Sequence, residues 1–283
     1  SANLLEDCLQ NLAAQTFRDF KVIILDNAST DGTAAIAERF AARDDRFFYR
    51  RQVQNVGALR NFSDVLAIAD TPYFMWRADD DTADVNFVEE MVRLLDANPN
   101  AALAVGRVEL DKRGRRRGKP FPTRRSLEPA ALYRIRLILR SRSSWIYGLF
   151  RTEELKTSLA HVYAGFPHVN AFDHLVMFPF LLGLRVVGTN STAFVTGFVD
   201  RPGDTRKRGF IDPTVMATLR RDFIAYCRKQ LAGMIHSPTS AALLRPVILL
   251  YADRSYRATK VLGARLRVLV GQRPEGAPKD YGG

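Results

Sequence analysis

Three consecutive carboxylates, Asp79, Asp80 and Asp81, follow Tyr73-Phe-Met-Trp-Arg77, a run whose aromatic and apolar character predicts a short strand. Negative charge gathered where a buried strand ends must be offset by water or by a cation. Oxygen-only ligands favour a hard divalent ion, with a phosphate-bearing ligand supplying further oxygens. A solvated acidic turn is the plain alternative. Two further carboxylates stand at element boundaries. Asp26 ends the apolar run Phe20-Lys-Val-Ile-Ile-Leu25, and Asp173 precedes an apolar helix in Asn170-Ala-Phe-Asp-His-Leu-Val-Met177. Capping is a common role for an Asp so placed.

The elements that must position these groups follow from periodicity. Leu4, Leu5, Cys8, Leu9 and Leu12 predict an amphipathic helix over 3–14. Asn27-Ala-Ser-Thr-Asp-Gly-Thr33 is turn chemistry, with Thr30 or Asp31 as cap for a helix over 34–42. Phe47-Phe48-Tyr49 reads as a strand, Asn55-Val-Gly57 as a turn, and Leu59, Phe62, Leu66 and Ala69 as a helix face. After the acidic triplet come a helix over 85–95 and a strand over 103–110. Strands alternating with helices imply an α/β fold with a mostly parallel sheet, whose ligands bind at the C-terminal strand ends. Further on, Ser143–Arg151 reads as an apolar strand after a helix near 129–141, and residues 213–272 as helices.

Composition is that of a globular chain, with 47% hydrophobic and 25% charged residues and a net charge of +12. The charge is uneven: residues 1–110 hold 11 Lys/Arg against 18 Asp/Glu, whereas 111–200 hold 15 against 6 and 201–283 hold 16 against 6. A uniformly basic nucleic-acid binder would not gather its acid in one half, so no nucleic-acid partner is expected. An acidic metal-binding half joined to a basic half suggests an anionic substrate or an anionic membrane surface. Cys8 and Cys227 are too far apart for a metal motif and suit a reducing compartment.

The motifs Phe20 to Thr33, Asn55-Val-Gly-Ala-Leu-Arg-Asn61 and the Asp79-Asp80 strand end, in that order, resemble the family 2 glycosyltransferases. These are inverting, nucleotide-sugar-dependent enzymes of GT-A fold. The likeness covers residues 1 to about 110 well and continues more weakly to about 200. Family members begin with a strand that leads into the helix seen here at 3–14, so the resemblance implies a sheet whose first strand precedes this chain, and weak nucleotide binding without it.

The resemblance also assigns roles. Asp26 would accept a hydrogen bond from the nucleotide base, commonly uracil, with Asn27 and Arg60 in the same nucleotide-binding region. Asp80 would ligate Mg²⁺ or Mn²⁺ and Asp79 would face the ribose, while a register using Asp79 and Asp81 stays open. Where many members carry a further acidic residue, this chain has Arg77. Asp173 matches the family's catalytic base, with helix capping as the alternative and His174 as the weaker substitute. Trp145 and Tyr147 are candidates for the acceptor-sugar wall, or for core packing. Arg206 and Arg208 stand where related enzymes hold a mobile loop over the donor diphosphate. The basic run Lys112–Lys119 reads as a solvated hairpin tip or a contact for an anionic lipid-linked acceptor.

The sequence therefore leads to three parts: a nucleotide-sugar half over 1–110, an acceptor half over 111–205, and a basic helical extension over 206–283. The expected activity is metal-dependent, inverting transfer from a nucleotide sugar, such as a UDP-sugar, to a saccharide or lipid-linked acceptor in cell-surface polysaccharide synthesis. Two competitors are a sugar nucleotidyltransferase and a non-catalytic basic protein binding membrane or nucleic acid. The first would need a Gly-rich phosphate loop near the first strand, and the sequence shows none.

Overall fold

The computed structural model of the chain describes residues 2–112, 115–166, 168–197 and 213–256. It opens with α1 (Ala2–Ala13), β1 (Val22–Asp26), α2 (Thr33–Ala41), β2 (Phe47–Arg51) and α3 (Ala58–Ala67). β1 and β2 pair in parallel from Val22↔Phe47 to Asp26↔Arg51. The apolar stripe anticipated on α1 is buried: Leu5, Cys8, Leu9 and Leu12 pack with Ile24, Ile36 and Phe47 in a small core of their own.

A six-stranded sheet follows. Its strands are β3 (Tyr73–Phe74), β4 (Thr82–Ala83), β5 (Leu103–Lys112), β6 (Arg115–Lys119), β7 (Leu149–Arg151) and β8 (Val186–Gly197), in the order β3-β7-β5-β8-β4 with β6 added to β5. Among the helices, α4 (Phe87–Ala97) lies between β4 and β5, and α5 (Ala130–Arg140), α6 (Thr152–Gly165) and α7 (Phe172–Leu182) fall between β6 and β8. Their apolar faces join α8 (Pro213–Met234) and α9 (Pro238–Tyr256) in the main core, where Phe150, Phe178, Phe223 and Tyr251 are fully enclosed.

The α/β class stands, but the larger sheet is mixed rather than mostly parallel. Only β5 and β8 run parallel among its described pairs; β3–β7, β4–β8, β5–β6 and β5–β7 are antiparallel. The reason is local. A hairpin returns β6 along β5, and the run Ser143–Arg151 does not form one long strand. Ser143–Tyr147 coils into a 3-10 helix that buries Trp145 and Ile146, leaving only Leu149–Arg151 extended. Gly148 passes so close to β5 that a Cβ there would lie 2.4 Å from the Ala104 carbonyl oxygen. Because β7 is short, its partner β3 is short too. The strand expected over 73–77 ends at Phe74, and Met75 to Ala78 run on without ladder pairing.

Arg206 and Arg208 lie outside the described residues, as do Arg257, Lys260, Arg265 and Arg267 of the expected basic tail. Among the described residues no helix is long and apolar enough to cross a membrane.

Candidate active site

Asp26 ends β1 with its side chain fully enclosed. Its Oδ1 accepts the Ser29 backbone N–H at 2.9 Å, its Oδ2 accepts the Tyr49 hydroxyl at 3.0 Å, and Arg51 Nε stands 3.8 Å away. Burial opposes its charge, but the Ser29, Tyr49 and Arg51 contacts outweigh burial and hold its carboxyl below the usual range. Asn27 is a brace: its Nδ2 donates to Asn55 Oδ1 at 3.0 Å and its Oδ1 accepts the Val56 N–H at 2.8 Å. Asn61 Nδ2 donates to the Leu25 carbonyl at 3.0 Å. The two family motifs are thus one hydrogen-bonded layer. Asp31 accepts the N–H of Thr33, the first residue of α2, at 3.1 Å, but the N-cap is Gly32 and no side chain caps α2, so neither Thr30 nor Asp31 takes the expected capping place. Arg60 is exposed and pairs with Asp64 at 2.6 Å, one helical turn on.

The acidic turn between β3 and β4 is stapled by α1 and the residues just after it. Cys8 Sγ donates to the Ala78 carbonyl at 3.4 Å; Asn11 bonds both the N–H and the carbonyl of Ala83, at 2.9 and 2.8 Å. Gln15 donates to the Asp84 carbonyl at 3.1 Å and accepts the Val88 N–H at 3.0 Å. Cys8 and Asn11 lie one turn apart on one face of α1, a signal hidden in the sequence by the leucine stripe beside it, while Gln15 stands just past the helix end at Ala13.

Asp81 does not fit the plain alternative of a solvated acidic turn. It is only 5% exposed, and its Oδ1 accepts the Gly197 N–H of β8 at 3.1 Å. Burial, together with the neighbouring charge of Asp80, pushes its pKa up to about 7. Asp80 and Asp81 line the same cleft. Beneath them, Arg77 buries all three guanidinium nitrogens with no hydrogen-bond acceptor among the described residues, its cationic carbon 5.0 Å from the Phe194 ring and 5.9 Å from the Phe87 ring. Burial lowers its pKa, against the attraction of Cys8 and Asp81.

The cleft has a volume of about 1020 Å³ and brings Asp173 to the wall shared with Asp80 and Asp81. Asp173 is the second residue of α7. The N-cap is Ala171, in the left-handed conformation at φ 61°, and Asp173 accepts the N–H of His174 at 2.9 Å. A carboxylate in this first turn is also favoured by the helix dipole. The loop before it is held from α9, where the Tyr256 hydroxyl donates to the Asn170 carbonyl at 3.0 Å.

His174 points into the core instead, its Nδ1 3.0 Å from the Tyr251 hydroxyl, and burial lowers its pKa. Engaged with Tyr251 and outside the cleft lining, it is poorly placed to act as the substitute base. Trp145 is likewise a core residue, packed on Phe121 with ring centroids 5.5 Å apart. Tyr147 does line the cleft, its ring stacked on Phe194 at 5.2 Å. Asp26, Asn27 and Arg60 lie outside that lining, beside it through Ala58 and Leu59 at the start of α3. A second hollow of about 410 Å³ between α8 and α9, lined by Arg228, Leu231 and Arg245, contains no carboxylate.

Among the described residues no three metal-capable side chains cluster. Asp80 and Asp81 nevertheless fit a hard cation that keeps most of its shell for water and phosphate oxygens.

Comparison with known proteins agrees with this geometry. The model of glycosyl transferase family 2 matches residues 1–163. EpsH of Bacillus subtilis (strain 168) is 31% identical over 87 residues, covering 30% of this chain and 25% of EpsH. Rv1520 of Mycobacterium tuberculosis, an uncharacterized protein, is 33% identical over 135 residues, 45% of this chain and 39% of its own. The chain thus aligns with well under half the length of these curated relatives. Among solved structures, S. aureus TarS 1-349 in complex with UDP-GlcNAc superposes with a TM-score of 0.69 at 16% identity, over 93% of this chain and 72% of that one. The mannosyltransferase PcManGT from Pyrobaculum calidifontis, in complex with GDP-Man and Mn²⁺, gives 0.54 at 18% identity, over 95% and 77%. With the family motifs locked into one layer and the acidic turn between β3 and β4 opening on the cleft, the chain belongs to glycosyltransferase family 2 and has its GT-A fold.

Proposed function

We propose that the protein is an inverting, metal-dependent glycosyltransferase that moves a sugar from a nucleotide donor, a UDP-sugar, to a saccharide or lipid-linked acceptor in cell-surface polysaccharide synthesis. The observation that carries this reading is the meeting of Asp80 and Asp81 with Asp173 in one cleft, although they come from distant parts of the chain. Such a pairing puts a donor seat opposite a base.

Asp173 would take the proton of the acceptor hydroxyl as its oxygen attacks the anomeric carbon, while the bond to the diphosphate breaks on the opposite face. Asp26 has two of its roughly four acceptor sites in use, and because its side chain is enclosed it would accept from a nucleobase only once Tyr49 or Arg51 moves aside. Asp79 would face the ribose, and Asn27 shapes the turn beside it. Mg²⁺ or Mn²⁺ held by Asp80, with Asp81, would stabilise the charge developing on the diphosphate. Tyr147 offers a ring to the acceptor sugar. Arg60, Arg206 and Arg208 remain candidates for the donor phosphates. Contact with an anionic membrane surface belongs to the same reading, supported by the exposed Leu243, Leu249 and Leu250 on α9.

The test is nucleotide release by the full-length protein with Mn²⁺ and a panel of nucleotide sugars. Release with one donor, abolished by Asp80→Ala, is the expected result. Failure to bind or turn over any donor would sink the proposal.

A further inference from the structure

β6 carries Arg115, Arg116, Arg117 and Lys119 in five exposed residues. Its register sorts them. Residues facing each other across an antiparallel pair share a face, so Arg115, Arg117 and Lys119 lie with Leu110 and Val108. Arg116 lies on the other face with Asp111 and Glu109. That second face is neutralised within the protein: Arg116 pairs with Asp84 at 3.1 Å, and Arg107 with Glu109 at 2.7 Å. The first face is different. Arg117 and Lys119 line the cleft together with Arg142, and none of the three makes an ion pair among the described residues.

Strand order separates the β6 backbone carrying Arg117 and Lys119 from the donor seat. Asp81 is anchored at Gly197 on β8, and the row Gly197↔Asp111↔Arg116 counts two strand steps from β8 to β6. At strand spacing this is roughly 10 Å. A diphosphate held at Asp80 and Asp81 would not extend that far, whereas an acceptor crossing the cleft would. Like charges gathered on one wall repel unless an anion joins them, and a guanidinium fork fits phosphate oxygens in pairs.

Resting on the glycosyl-transfer reading of the cleft, we propose that the β6 wall is an acceptor subsite for phosphate. The acceptor carries a phosphate ester near the hydroxyl that receives the sugar, and Arg117, Lys119 and Arg142 bind it. That phosphate is either part of a water-soluble phosphodiester chain or the headgroup of a lipid.

The experiment measures binding of the full-length protein to a fluorescent glycerol-phosphate hexamer, to a neutral glucose hexamer, and to vesicles containing phosphatidylglycerol. The Arg117→Glu/Lys119→Glu variant is compared with Arg117→Lys/Lys119→Arg and with Arg43→Glu/Arg93→Glu, an equal charge change on the far half. Thermal unfolding shows that each variant is folded. The expected result is at least a tenfold loss of phosphate binding in the first variant alone. Loss with the hexamer identifies a soluble acceptor, and loss with vesicles only identifies a lipid-borne one. If the charge swap leaves both unchanged, or the neutral hexamer binds as well as the phosphate hexamer, the subsite is overturned. Nucleotide release is read in the same samples. Its absence in the wild type with phosphate binding intact overturns the transferase reading instead.

Discussion

Gly197 offers a sharp test of what holds the donor seat. Its N–H donates to Asp81 Oδ1 at 3.1 Å, and a Cβ added there would lie 2.2 Å from the Asp80 carbonyl oxygen, far inside contact distance. In Gly197→Ala the Asp80 peptide must therefore retreat by roughly 1 Å to restore ordinary contact. That shift takes the Asp81 bond out of hydrogen-bonding range. Leaving a buried carboxyl without that bond costs about 1–3 kcal/mol, and overpacking costs about 1–3 kcal/mol. Partial relaxation leaves a net destabilisation of about 2–5 kcal/mol. Displacing a ligand's support weakens metal binding by about 10–100-fold. Manganese EPR titration with a nucleoside diphosphate present would read the second effect, and thermal unfolding the first. Gly233 in α8 provides the contrast, since a Cβ there meets nothing within 4 Å. Gly233→Ala should raise stability by up to about 1 kcal/mol. If Gly197→Ala keeps wild-type manganese affinity and an unshifted unfolding curve, close packing of β8 on the acidic turn is not what forms the seat.

Three other outcomes are expected. Asp173→Asn should lower turnover by about 10²–10⁴-fold with donor affinity retained, measured by steady-state kinetics and calorimetry, because only proton removal is lost. The carboxyl of Asp81, raised from 3.8 to about 7, keeps its proton in the folded state while the unfolded chain ionises. Stability is therefore highest below about pH 4 for this group and falls through pH 7, by up to about 4 kcal/mol; Asp81→Asn should flatten that part of the unfolding-versus-pH profile. Tyr251→Phe deprives His174 Nδ1 and carbonyl of their shared hydroxyl, at 3.0 and 3.2 Å. A loss of about 1–3 kcal/mol should appear as a lower melting temperature.

Much of the frame was legible in the sequence because it is encoded locally. The helix faces of α1 and α3 and the end of β1 at Asp26 follow from spacing and turn residues. Where the answer depends on partners distant in sequence, local pattern fails. Ser143–Arg151 has the composition of a strand, yet only its last residues find a ladder partner in β3 and β5. The three aspartates are identical in kind, and what separates Asp81 from a solvated turn residue is the N–H of Gly197, supplied by β8. Trp145 and Tyr147 differ by two positions, but the 3-10 helix turns one into the core and leaves the other on the cleft. The alternation on β6 became meaningful only with its register against β5.

Arg77 has a consequence that salt would expose. Its guanidinium is enclosed between Phe87 and Phe194, below Asp81, where mobile ions cannot gather around it. Screening at physiological ionic strength acts over about 8 Å in water but weakly inside a protein. The positive charges of β6 stand in solvent and fade as salt is added. The one under the cleft floor does not. An anionic ligand that touches both ends of the cleft should thus meet two kinds of attraction, one that dissolves in salt and one built into the core.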